Sequence, residues 1–338
     1  MTLDKRIEAI AAWGYALQNL SESETERLLW QAESHNPWFT ADSTRQALAA
    51  LQAFLQADKL RQWTQGYAFP EGNPKQVGII MAGNIPLVGF HDMLAVLIAG
   101  HHVLAKVSSQ DPILPKFVLQ VLRDIAPELA DRVTFADEPM KTMDAVIATG
   151  SNNSARYFDY YFSKYPNIIR KNRTSVAVLT GQETTEELQA LGNDVFQYFG
   201  LGCRNVSKLF VPAGYNFTPL LDTWQIYQPI INHSKYSNNY DYHKSILLVN
   251  QTEHLDTGFL MLMRQEALVS PTSLVYYEEY EDTYPLAERL AAEDANIQCL
   301  VGKGLDHPRA VGFGQSQTPE LWDYADGIDT LDFLAKLK

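Results

Sequence analysis

Cysteine is nearly absent from this chain of 338 residues, which has only Cys203 and Cys299. A disulfide framework or a zinc site needs more cysteines at set spacings, so neither is expected, and a reducing compartment is the simpler setting. Positive charge is also in deficit, with 27 Lys and Arg against 40 Asp and Glu and a formal net charge of −13. Such a surface repels phosphate backbones and anionic membranes, which argues against nucleic acid as a partner. No apolar run reaches the ~18 residues of a membrane span. The opening MTLDKRIEAIAAWGYALQNL carries charges where a secretory signal would be apolar, so a cytoplasmic protein is expected. The histidines, among them His91, His101, His233 and His243, lack metal-ligand spacing, and no metal site is expected. The dinucleotide fingerprint GxGxxG is missing as well.

What is present is an ordinary globular composition, 46% hydrophobic and 20% charged, in a chain long enough for two domains. Ile7, Ile10, Ala11, Gly14, Leu17 and Leu20 fall at helical spacing, Ser21 to Glu24 reads as a capping box, and Thr44 to Trp63 reads as a third amphipathic helix. After the Pro- and Gly-rich segment 65–74 the rhythm becomes β-α-β. QVGIIMAG, HHVLAKVS, Arg132 to Phe135 and DAVIATG read as strands, separated by helices over LVGFHDMLAVLIAG and Pro115 to Ile125, with a further helix from Asn152. A doubly wound parallel sheet follows from that alternation. RTSVAVLT reads as another buried strand, and SKLFVP, KSILLVN, SLVYYEEY and IQCLVG read as later strands of a second α/β region, with helices at EELQALGNDVFQYFG, PLLDTWQIYQPII and TYPLAERLAAE.

Several loops carry candidate chemistry. MAGNIP leaves a strand and opens a helix, where Asn84 is either a turn asparagine or a neutral amide donor for an oxyanion. HHVLAKVSSQDP brings Lys106 and Ser108 to a strand's carboxyl end, where they are either solvated or ligands for ribose or its 2′-phosphate. Thr149, Gly150 and Ser151 form a tight turn at a helix N-terminus, suited to phosphate or nicotinamide. Cys203, in FGLGCRNVS with Arg204 beside it, is either a buried structural thiol or a nucleophile with a lowered pKa. Cys299, in IQCLVG, reads as inert. A Cys-His hydrolase would need His233 or His243 brought to Cys203 by the fold.

Taken in order, AGNIP, KVS, TGS, GLGC and the closing GFGQSQTPELWDYADGIDTLDFL resemble the motifs of the aldehyde dehydrogenase superfamily from about residue 74 to the end. GCRNVSKLFVP and FGQSQTPELWDYADGIDTLDFL are more specifically similar to the LuxC-type acyl-CoA reductases. The resemblance implies an aldehyde dehydrogenase-like α/β fold: a Rossmann-type parallel cofactor sheet, a second α/β catalytic domain and an N-terminal helical region. It places the boundaries at 1–70, 71–181, 182–320 and 321–338, the last a segment returning to the core or to an oligomer interface. It implies reduction of a fatty acyl-CoA thioester by NADPH, with NADH possible and coenzyme A leaving. Cys203 would be the nucleophile and Asn84 the oxyanion donor, while Lys106, Ser108, Thr149, Gly150 and Ser151 would hold the cofactor.

Two departures bear on mechanism. Where hydrolytic members carry a glutamate in an ELGG-like motif, this chain has IIRKNRTSV, which argues against water as the acyl acceptor. Its Arg170, Lys171 and Arg173 read as a solvated basic turn or as phosphate contacts. QEALVSPTS resembles the segment that supplies a ribose-binding glutamate, but Glu266 stands one place off. Expected partners are an acyl-CoA or acyl-enzyme donor, an acyl-transferring enzyme, or further copies in a dimer or tetramer. An aldehyde-oxidising dehydrogenase and an acyl-holding protein without redox activity are the alternatives.

Overall fold

The computed structural model describes every residue except 70, 71, 137–139, 141 and 338, together with the side chain of residue 152. The expected boundary at 70/71 therefore lies outside the described residues. Packing divides the chain into two units, Met1–Asn172 with Glu320–Lys338, and Arg173–Pro319.

The first unit opens on helices Leu3–Gln18, Glu22–His35, Ala41–Phe54 and Ala57–Thr64. The capping box forms: Ser21 Oγ accepts from Glu24 N at 3.3 Å, and Glu24 Oε2 accepts from Ser21 N at 3.0 Å. The stretch 44–63 is two helices, not one. Buried Leu55 turns inward at the break and packs on Gly14, where a Cβ would come within 2.6 Å of the Leu55 Cβ. Trp13, fully buried, donates its indole N–H to Val118 O at 2.9 Å, so the first helix is fixed to helix Leu114–Ile125.

Five strands follow: β1 (Gln76–Ile80), β2 (His102–Lys106), β3 (Val133–Phe135), β4 (Ala145–Thr149) and β5 (Asn167–Arg170). They pair in parallel in the order β3-β2-β1-β4-β5. Strands buried on both faces read as continuous apolar runs, as Ala145 to Ala148 do. Helix Phe90–Ala99, with nearly every side chain buried, is the central helix of this core. The closing helix Thr330–Ala335 packs against it, which returns the chain's end to the first unit.

The second unit holds β6 (Thr174–Val178), β7 (Val206–Pro212), β8 (Leu255–Asp256), β9 (Met261–Arg264), β10 (Leu274–Tyr280), β11 (Ile297–Val301) and β12 (Ala310–Val311). Their order is β12-β11-β6-β7-β10-β9-β8, parallel throughout except at β8 and β9. β6 hydrogen-bonds to β7 and β11, so the sheet change falls before Thr174, ahead of the 181/182 boundary drawn from the sequence. KSILLVN is not a strand. It ends helix Ser234–Val249, which His233 caps by accepting Tyr236 N at 3.3 Å. Only Leu247 of its apolar run is buried, whereas Leu248 and Val249 are 59% and 81% exposed, as a helix end on the surface permits and a buried strand would not. Among the large aromatic side chains, Phe90 belongs to the first unit's core, and Trp224 and Tyr227 pack around Phe196 in the second.

Candidate active site

Each unit carries part of the chemistry. In the first, β2 and β3 lie to one side of β1, and β4 and β5 to the other. Connections from β1 and β4 therefore diverge, opening a crevice at the carboxyl ends of these strands, the usual ligand position in such sheets. Asn84 is exposed on the segment leaving β1. Its loop is held from beneath. A Cβ on Gly83 would lie 2.5 Å from Ser108 Oγ, and Leu87, left-handed at φ 58°, donates its N–H to Asp111 Oδ2 at 2.8 Å. Asp111 is buried and also accepts from Leu114 N at 3.4 Å; burial pushes its pKa up to about 6, against both backbone bonds and nearby His35.

Lys106 is half-buried at the end of β2 and donates to Ala136 O at 3.3 Å, while Ser108 Oγ accepts from Gln110 N at 3.2 Å. At the end of β4, Ser151 caps helix Asn152–Phe162 by accepting Ser154 N at 3.2 Å. Gly150 admits no Cβ, which would meet the Phe158 ring at 2.8 Å and Ser154 Cβ at 2.9 Å. The first turn of a helix presents N–H groups without intrahelical partners, a setting suited to an anionic or carbonyl group, and here Ser151 Oγ already takes that of Ser154. The strand order and these turns fit a nicotinamide dinucleotide over the carboxyl ends of β1 and β4. Arg170 is neither a solvated residue nor a phosphate contact. It is buried, paired with Asp92 at 2.6 Å, and donates to Thr330 Oγ1 at 3.0 Å.

In the second unit, Cys203 is exposed in a tight turn where Asn205 N donates to Gly202 O at 3.1 Å. Helix Thr185–Phe196 precedes it, and the chain reverses through Tyr198, Phe199 and Gly200, all left-handed. The Phe199 ring meets His233 at a tilt of 37° with centroids 4.4 Å apart, so one of the two candidate histidines packs against the segment that leads into the cysteine turn. The Arg204 guanidinium reaches Cys299 Sγ at 3.3 Å and Ser316 O at 3.4 Å. Glu266 is exposed, and its carbonyl accepts from Arg289 at 3.0 Å. The segment before it is anchored by Lys208, fully buried, which donates to Gln265 O and to Glu278 Oε2, the latter at 2.9 Å. Burial pushes the Lys208 pKa down, with Glu278 opposing.

The fold thus brings Asn84, Lys106, Ser108 and Thr149 to Ser151 to one sheet's carboxyl edge, and puts Cys203 and Glu266 in the other unit. Sequence reasoning did not single out Asp111 or Lys208, nor Ser175 and Asn205, which hydrogen-bond to Cys203 O and Gly202 N. Only Asp111, in a QDP turn ahead of a helix, carries a readable local signal.

Residues 40–219, more than half of the chain, match the family profile described as acyl-CoA reductase (LuxC). The chain belongs to the LuxC acyl-CoA reductase family. Solved structures place this LuxC family member in the aldehyde dehydrogenase fold. Aldehyde dehydrogenase 21 from Physcomitrella patens, in complex with the reaction product succinate, is similar at 12% identity, with 99% of this chain and 84% of that chain covered and a TM-score of 0.69. Aldehyde dehydrogenase KauB from Pseudomonas aeruginosa gives 13% identity, 89% and 72% coverage and a TM-score of 0.66. An NAD+ complex of aldehyde dehydrogenase from Bacillus cereus gives 15%, 93%, 72% and 0.62. Identities this low show the fold. Among curated proteins nothing matches. Family and fold together support an acyl-CoA or aldehyde oxidoreductase. No helix among the described residues is long and apolar enough to cross a membrane.

Proposed function

We propose that this chain reduces a fatty acyl-CoA thioester to the aldehyde with NADPH, through an acyl-enzyme on Cys203. The observation that carries the reading is an exposed thiol on a hydrogen-bonded turn in a member of this family. The Cys203 thiolate attacks the thioester carbon, and the carbonyl electrons move onto oxygen as the new C–S bond forms. The Cys203 backbone N–H and the Asn84 amide are assigned as donors to that oxyanion, a task worth on the order of 10²-fold in rate for one donor. Its collapse expels coenzyme A as the thiolate and leaves the acyl group on Cys203. Reduced nicotinamide, when bound, supplies the hydride that brings this group to the aldehyde level. The same two donors carry the second oxyanion, and the Cys203 thiolate departs as the aldehyde is released.

Lys106 and Ser108 are assigned to the cofactor ribose or its 2′-phosphate, Thr149 to Ser151 to the nicotinamide end, and Glu266 to the nicotinamide ribose. The stretch 167–175 offers no carboxylate to activate water, which favours exchange with a thiol over hydrolysis.

The test is to supply NADPH or NADH with acyl-CoA of graded chain length and to follow aldehyde, free thiol and cofactor together. Equal amounts of aldehyde and oxidised cofactor are expected, with NADPH preferred. Carboxylate formed from aldehyde without coenzyme A would replace this reading with an oxidising dehydrogenase. Acyl transfer to the protein with no cofactor consumed would replace it with an acyl-holding protein.

A further inference from the structure

We infer that Asn205 and Ser175, two buried polar residues bonded to the Cys203 turn, are positioning residues that hold the thiol in its reactive pose. The inference rests on Cys203 being the nucleophile. Asn205 is 2% exposed and Ser175 is 0% exposed. The Asn205 amide group donates to Gln197 O at 2.8 Å, Asp194 O at 3.1 Å and Val195 O at 3.4 Å. These carbonyls belong to the end of helix Thr185–Phe196 and the residue after it, where a helix runs out of internal donors. The amide oxygen accepts from Gly202 N at 2.8 Å. Flipping the amide would set its oxygen against three carbonyls and its NH2 against an N–H, so the network fixes one orientation.

Ser175 acts from the other side. Its hydroxyl donates to Cys203 O at 3.1 Å and accepts from Cys299 N at 3.1 Å, and its backbone N donates to Asn205 O at 3.1 Å. Cys203 and Asn205 are therefore each bonded to residues outside the turn, and Gly202 is tied to the Asn205 side chain within it. The reversal that leads into it places Tyr198 and Phe199 at φ 51° and 59°, backbone that non-glycine residues disfavour and that persists where its surroundings determine it. A satisfied buried network specifies a single loop conformation, and a nucleophile displaced by about 1 Å loses on the order of 10²-fold in rate.

The experiment uses the full chain with Ser175→Ala, Ser175→Thr and Asn205→Asp. Three quantities are read: the pH profile of iodoacetamide labelling at the Cys203 peptide, kcat and KM for acyl-CoA, and thermal melting. The expected result is that Ser175→Ala melts close to wild type, shifts the labelling profile, and lowers kcat by on the order of 10²-fold with little change in KM. Ser175→Thr, which keeps the hydroxyl, recovers most of the loss. Asn205→Asp keeps the Gly202 bond but faces carbonyls with a carboxylate, and is expected to slow labelling at neutral pH. Folded Ser175→Ala and Asn205→Asp proteins with wild-type labelling profiles would overturn the inference. So would a fall in melting temperature and activity with an unshifted profile. If the wild type makes no aldehyde but Ser175→Ala still shifts the labelling profile, the reductase reading falls and the positioning role stands.

Discussion

Replacing Asp111 with Asn should make the protein more stable at neutral pH and less active. The carboxylate is buried with two backbone N–H bonds and carries a pKa of about 6 against an ordinary 3.8, with burial as the largest cause. Moving a carboxyl that far is worth about 3 kcal/mol. Because the folded-state value is the raised one, Asp111's favourable contribution is complete below 3.8 and is lost as pH rises through about 6. Above that range the folded protein bears a buried charge, which Asn removes while still accepting from Leu87 N. Asn gives up the longer Leu114 bond, so the net gain at neutral pH is about 1–3 kcal/mol, or roughly 3–10 °C in melting temperature. Melting both proteins across the acid range isolates the effect: the difference should grow with pH between the two values and then level off. Leu87 is held in left-handed backbone by this carboxylate, on the loop that carries Asn84. Exchanging a charged acceptor for a neutral one should therefore loosen that loop and lower kcat. A variant destabilised equally at every pH would refute the reasoning.

Three further outcomes follow from particular contacts. Arg170→Met leaves Asp92 buried without its partner and should destabilise by about 3–5 kcal/mol, most of which Asp92→Leu in the same chain should return, measured by urea unfolding. Gly150→Ala must displace Phe158 or Ser154, at about 1–3 kcal/mol, and should weaken NADPH binding about tenfold in a fluorescence titration. Lys208→Met frees the carbonyl of Gln265 beside Glu266, and should raise the KM for cofactor more than that for acyl-CoA.

Local signals carried most of the architecture. The Ser21 capping box is a short-range pattern, and the β-α-β alternation from Gln76 to Thr149 stands in the order of apolar runs, so both could be read from sequence. KSILLVN misled because an apolar run of four looks the same on a helix end as in a buried strand, and its helix starts well upstream at the His233 cap, where polar and aromatic residues alternate without a clear stripe. β5 and β9 span four residues each, too short for a period to register. Of the candidate site residues, Asn84, Lys106, Ser108 and Cys203 could be proposed from sequence because each sits in a motif at a loop. Ser175, Asn205 and Lys208 act through partners that are distant in sequence or through backbone atoms, which no spacing reveals, and Asp111's partner Leu87 lies 24 residues away. Arg170 escaped for the same reason, because its partner lies 78 residues away on the central helix, while Lys171 of the same basic turn is exposed.

The central claim is that Cys203 carries the acyl group. Mixing the protein with a fatty acyl-CoA and no cofactor, then mapping the mass of the Cys203 peptide, tests it directly. One acyl group on Cys203 is expected, with coenzyme A released in equal amount, and its discharge as aldehyde when NADPH is added. A Cys203→Ala protein that still forms aldehyde from acyl-CoA and NADPH, or a wild-type Cys203 that stays unmodified while aldehyde accumulates after NADPH is added, would contradict it.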